Sequence, residues 1–255
     1  MKKLLVTLTP SQSKRLIAKG LLATEEIQYA LDNGYLCVTL GTTSSYLVEE
    51  LIPDYDKTKH IAGVTVSEGL WITEADSRAY DAIFYKGEYL EKKKVKDVLA
   101  DMGEGDVIIK SANAFDADMV PIVLLASETG GTVGSFLGAA ASKNITVIMP
   151  SGLEKCIPVL YDEFSGGFGK DDWDLAIGTP VGAIAIPQGF PFTEIHALNV
   201  LFDVEAIPIA AGGVNGAEGS ISLFIEGSDD DIDDAYELLK EIKKEPPFPK
   251  IEHLQ

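Results

Sequence analysis

Tyr35-Leu36-Cys37-Val38-Thr39-Leu40-Gly41-Thr42-Thr43-Ser44-Ser45-Tyr46-Leu47-Val48 is the stretch on which the fold turns. The apolar run 35–40 lacks polar alternation, as a strand covered on both faces does. Gly41 to Ser45 then turn the chain into a helix that carries Tyr46, Leu47, Val48, Leu51 and Ile52 until Pro53 ends it. Strand, small-residue turn and helix together form the repeating unit of α/β proteins.

Upstream, Thr9, Pro10 and Gln12 spell a capping box ahead of Leu16, Ile17 and Leu21. Thr24 opens a second helix, with Glu25 and Glu26 in its first turn and Gly34 as its stop. Downstream, apolar runs at 61–66, 82–85, 107–109, 122–125 and 145–149 read as further strands. Helical spacing recurs at 91–102 and 132–143. This alternation predicts an α/β fold, a mostly parallel sheet with helices on both faces, over residues 1–165.

The glycine and charge cluster 165–172 marks a boundary. Beyond it come a strand at 181–186, a helix at 192–202, strands at 206–211 and 220–226 around Asn215-Gly216, and a helix entered by Asp229, Asp230 and Asp231 and closed by Lys240, Lys243 and Lys244. The β-α-β-β-α order predicts a small α+β ferredoxin-like C-terminal domain over 175–245, followed by a proline-rich tail at 246–255.

Forty acidic residues against twenty-one basic ones give the 255-residue chain a formal charge of −19. Such a surface repels phosphate backbones and anionic lipid, so neither nucleic acid nor membrane is an expected partner. The acidity is equally explained by solubility or by adaptation to salt. Two cysteines, Cys37 and Cys156, support neither a disulfide framework nor a thiolate metal site. Residues 1–8 are too short an apolar run for a secretory core, and a cytoplasmic location is expected. His60, His196 and His253 have no ligand spacing, so no metal is expected, and nothing calls for a cofactor.

Three turns could carry chemistry. Gly41, Thr42, Thr43 and Ser44 place hydroxyls and free amides at a helix N-terminus, where a phosphate or carboxylate is stabilised, although an ordinary capped turn also accounts for them. Gly130, Gly131 and Thr132, after Ser127-Glu128-Thr129, repeat the arrangement. Lys110 and Asn113 follow the strand at 107–109, with Asp116 beyond as an acid or base, or as a simple turn residue. Strand ends on one sheet edge converge, so the turns could grip one small phosphorylated metabolite.

These motifs, with Ser13-Lys14-Arg15 and Ala18 before them and Ala141-Ser142-Lys143-Asn144-Ile145-Thr146-Val147-Ile148 after, resemble ribose-5-phosphate isomerase A over residues 10–150. Its superfamily includes sugar-phosphate deaminases and coenzyme A transferases. The resemblance implies that Thr42, Thr43 and Ser44 hold a substrate phosphate and that a ferredoxin-like extra domain follows. Lys110 and Asn113 stand where that family has aspartates, Asp116 keeps the later acidic position, and Glu128-Thr129-Gly130-Gly131 replaces its lysine and glycine run. Isomerase-like proton transfer by Asp116 or Glu128 is one expectation. Val66-Ser67-Glu68-Gly69 is similar to the transferase motif with a nucleophilic glutamate, which makes acyl transfer through Glu68 the alternative, unless Glu68 simply begins a surface loop. A third reading is a non-catalytic ligand sensor whose small domain serves partner contact or assembly as a homo-oligomer.

Overall fold

The computed structural model describes residues 1–254. The chain runs β1 (Lys2–Leu8), α1 (Pro10–Leu22), α2 (Glu25–Asn33), β2 (Tyr35–Val38), α3 (Thr42–Leu51), β3 (Gly63–Val66), β4 (Gly69–Ile72), β5 (Ala82–Tyr85) and β6 (Glu88–Leu90). It continues through β7 (Val107–Ile109), β8 (Ala114–Phe115), β9 (Pro121–Leu125), α4 (Gly131–Lys143), β10 (Thr146–Pro150) and β11 (Gly182–Ala185). Last come β12 (Phe190–Phe192), α5 (Glu194–Phe202), β13 (Glu205–Gly212), β14 (Ser220–Gly227) and α6 (Asp229–Ile242).

The expected mostly parallel sheet is not what forms. One six-stranded mixed sheet, ordered β12-β10-β7-β2-β5-β6, is accompanied by antiparallel sheets β1-β14-β13, β11-β9-β8 and β3-β4. Strands β12, β10, β7 and β2 run parallel, whereas β5 pairs antiparallel with β2, and β6 with β5. A parallel neighbour needs a crossover, usually a helix. The stretch 91–102, read as a helix, carries the chain from β6 across to β7 with only one turn of 3-10 helix, at Val95–Asp97. The Lys143 ammonium instead donates to the Leu99, Ala100 and Met102 carbonyls at 2.6, 2.8 and 3.2 Å. Lys86 and Gly87, both at positive φ, fold β5 back on β6 as a two-residue hairpin.

The ferredoxin-like reading is corrected as well. β11 lies beside β9 and β12 beside β10, so neither joins β13 and β14, whose sheet is completed by β1 from the other end of the chain. Leu4, Val6 and Leu8 of β1 turn inward while Lys3, Leu5 and Thr7 face solvent. That alternation makes residues 2–8 a half-buried strand.

Within the mixed sheet the apolar runs are buried on both faces. Leu36, Val38, Val107, Ile109 and Ile148 join the core shared with α1, α3, α5 and α6. Cys37, Ile108, Val147 and Met149 face Phe136 and Ala140 of α4 and the segment 95–102. Of the two cysteines, Cys37 is buried and Cys156 exposed. The first helix starts as its capping box dictates, with Thr9 N–H donating to Gln12 Oε1 at 3.0 Å and Gln12 N–H returning to Thr9 Oγ1 at 3.5 Å. At Gly20 any Cβ would sit 2.5 Å from that of Ala197, and this bare position brings α1 against α5. No helix among the described residues is long and apolar enough to cross a membrane.

One buried group destabilises the fold at high pH. Glu194, at the start of α5, is fully buried, accepts the Leu153 N–H at 3.0 Å and lies near Glu154, whose Oε2 is buried without a partner. Burial first, and the Glu154 charge second, raise its pKa above the ordinary 4.5. The folded state therefore binds more protons than the unfolded one above pH 4.5, and stability falls as pH rises through the raised value. Glu194→Gln is expected to be more stable than the parent by on the order of 1–3 kcal/mol near pH 8 and to flatten the pH profile. Urea melts across pH check it, and an unchanged slope would refute it.

Candidate functional site

A cavity of about 330 Å³ opens at the carboxyl ends of β2 and β7. This is where open α/β sheets place ligands, and the volume suits a small metabolite. One side is the first turn of α3, through Gly41 and Thr42; another is the first turn of α4, through Gly130, Gly131, Thr132 and Val133. Gly130 and Gly131 have φ of 73° and 56°, a left-handed pair that admits glycine without strain and leaves the backbone bare to a ligand. The opposite wall is the β3–β4 hairpin with Val64, Leu70, Trp71 and Ile72, held in place where Thr179 N–H donates to the Leu70 carbonyl at 2.6 Å.

The floor is the segment after β7. Lys110 N–H donates to the Ile148 carbonyl at 3.0 Å, and Ser111 Oγ accepts the Ser44 N–H at 3.0 Å, which ties the strand end to the first turn of α3. Asn113 Oδ1 accepts the Leu124 N–H at 3.0 Å. Lys110 Nζ donates to the Ser111 carbonyl at 3.0 Å and Lys155 Nζ to the Ala112 carbonyl at 2.7 Å, so two ammonium groups hang from successive peptides. Arg78 completes the set, its Nε donating to Thr73 Oγ1 at 2.9 Å and its Nη2 to the Thr73 carbonyl.

None of these three cations has a carboxylate oxygen within 4.0 Å among the described residues. Burial lowers the pKa of Lys110 to about 8 against the opposing pull of Asp81, and that of Lys155 to about 8 against the pull of Glu154. Burial lowers Arg78 as well. In a chain of net charge −19, three desolvated cations without paired acids form a local positive field. Two helix N-termini add to it.

Seven of the expected ligand-binding residues line this one cavity: Gly41, Thr42, Lys110, Asn113, Gly130, Gly131 and Thr132. Thr43 and Ser44 are buried behind it, and Ser44 Oγ is occupied by the Thr39 carbonyl at 2.7 Å. The three residues considered for chemistry lie outside the lining. Asp116 is buried, with its carboxylate accepting the N–H groups of Asp118, Val120 and Tyr161 at 3.0, 2.9 and 3.1 Å. The Glu128 side chain is 86% exposed, 3.9 Å from Lys170 Nζ. Glu68 sits at the exposed tip of the β3–β4 hairpin, where Ser67 Oγ donates to it at 2.7 Å. Arg78, Trp71 and Lys155 were not legible as site residues, since each lies alone in its stretch of sequence.

A second hollow, of about 730 Å³ between α5, β12 and β13, is lined by Phe190, Phe192, Ile195, Val200 and Ile207. Its carboxylates, Glu26 and Glu205, have no lysine or arginine beside them in the lining, so it has nothing to attract an anion. No protein-family model, curated protein or solved structure matches the chain.

Proposed function

We propose that this protein binds a small phosphorylated metabolite in the cavity between α3, α4 and the β3–β4 hairpin. One observation carries the reading: two helix N-termini and the side chains of Arg78, Lys110 and Lys155 converge on a single hollow that contains no acid. The Gly41 N–H is taken by the His60 carbonyl at 2.8 Å, so a phosphate would meet the N–H of Thr42, or those of Gly131 and Thr132, together with the positive helix end. The rest of a sugar-sized molecule then lies against Trp71 and the hairpin. The resemblance of the turn 41–45 to the phosphate turn of an isomerase supports the same ligand class.

The lining holds no carboxylate, imidazole or thiol among the described residues. Isomerase-like chemistry would then fall to an amine, and a non-catalytic sensor is the second reading that this absence favours. Exchange of solvent deuterium into bound ribose 5-phosphate separates the two, because only a proton-transferring site incorporates label.

Binding itself is tested by thermal shift and calorimetry with ribose 5-phosphate. At a hundredfold excess over Kd the ligand is expected to stabilise the fold by about 2.7 kcal/mol, or roughly 5–10 °C for a chain of this size. A melting temperature no higher than that in ribose with sodium chloride at matched ionic strength would sink the proposal.

A further inference from the structure

Given that reading of the cavity, we propose that it is a carbonyl-reactive site, in which the Lys110 amine condenses with the aldehyde or ketone carbon of a phosphorylated ligand and Lys155 supplies the proton. This deepens the phosphate-binding reading and rests on it.

Geometry distinguishes the two lysines from surface ones. Their ammonium groups share one hollow, hang from the adjacent carbonyls of Ser111 and Ala112, and have no carboxylate partner at contact distance. Burial makes both charges harder to hold, and the Lys110 charge adds to that at Lys155; desolvation in a pocket with another cation is a recognised route to a nucleophilic amine. Lys110 is the better nucleophile by position. It lines the cavity together with Gly41 and Thr42 at the start of α3, so its amine shares the hollow with the positive end of that helix. Lys155 follows Glu154, which favours its charged and proton-donating form. The other charged or titratable groups near Lys110 are Asp81, which favours its ammonium form, and His60, which burial keeps neutral. The lowered pKa values of both lysines leave a useful fraction of free amine near neutrality.

In the reaction the Nζ lone pair forms a bond to the carbonyl carbon and gives a carbinolamine. The carbon–oxygen bond then breaks. Oxygen leaves as water with one proton from Nζ and one from the Lys155 ammonium, which is restored from solvent. The product is a protonated imine, an electron sink that acidifies the neighbouring C–H. A cavity without a carboxylate thus acquires a way to activate a sugar phosphate.

The test traps the imine with cyanoborohydride in the presence of glyceraldehyde 3-phosphate, followed by intact mass and peptide mapping of the full chain. The expected result is one adduct, at Lys110, suppressed by inorganic phosphate and at least tenfold weaker with unphosphorylated glyceraldehyde. Lys110→Arg keeps a cation but removes the amine and is expected to lose the adduct, whereas Glu128→Gln, on an exposed side chain outside the lining, is expected to keep it. Adducts scattered over exposed lysines, or placed on Lys155 alone, would overturn the assignment. Phosphate binding by calorimetry without any adduct would overturn this inference and leave the binding reading standing. Absence of phosphate binding would overturn both.

Discussion

Lys155→Met is expected to weaken sulfate or phosphate binding about a hundredfold, since removing one desolvated partner of an ion pair costs roughly 2–5 kcal/mol. The side chain reaches the cavity from beyond β10, so its loss leaves the two helix N-termini in place, and circular dichroism should be unchanged. Glu128→Gln, on an exposed side chain outside the lining, is expected to leave the dissociation constant within twofold. Sulfate is the cleaner probe for pH because its charge stays fixed. Lys110 and Lys155 both lose their protons near about pH 8 in the empty site. Sulfate affinity is therefore expected to be full below that value and to fall as pH rises through it. Calorimetry at three pH values measures this, and an affinity indifferent to both pH and Lys155 would place the anion elsewhere.

What the sequence disclosed of this site was its backbone. Glycines and hydroxyls after an apolar strand announce a helix N-terminus because the physics is local: the orphan amides, the cap and the bare Cα lie within five residues of one another. That is why Gly41, Thr42, Gly130, Gly131 and Thr132 could be named before any coordinates. Arg78 and Lys155 could not. Arg78 arrives after the β3–β4 hairpin and Lys155 from a turn beyond β10, and only tertiary packing brings them to Lys110. Nothing in their own neighbourhoods sets them apart from a solvated charge.

The fold shows the same division. Capping chemistry fixed the start of α1, and the macrodipole pattern fixed α6, because both are decided within a turn. Sheet direction is decided between strands. The stretch 91–102 has helical apolar spacing at Val95, Val98 and Leu99, yet it packs as turns over Phe136 and Ala140, with Lys143 taking three of its carbonyls. That stretch joins β6 to β7, which run the same way, so the antiparallel course of β5 is set elsewhere, by its pairing with β2 and by the Lys86-Gly87 hairpin. Likewise the alternation of Leu4, Val6 and Leu8 belongs to a strand whose partner, β14, lies more than two hundred residues away. No local signal announces such a pairing.

Phe136→Ala is expected to be the most damaging single truncation near the site. The ring is fully buried on α4 against Cys37, Ile108, Val147 and Met149, and large-to-small changes of this kind cost about 3–5 kcal/mol. For a domain of this length that is roughly 10 °C of melting temperature. Phe136→Leu, which fills most of the space, should lose well under half as much. Ligand affinity is expected to respond differently. The bare turn that faces the cavity is held from the other side, by Gly130 N–H on the Ser127 carbonyl at 3.0 Å and by Ser127 Oγ on Thr129 Oγ1 at 3.2 Å. The folded fraction of Phe136→Ala should therefore bind phosphate within a few-fold of the parent, and saturating phosphate should return part of the lost stability by mass action. If affinity instead falls in step with stability, the first turn of α4 is positioned by its packing on the sheet, and the loop 127–130 is a passenger.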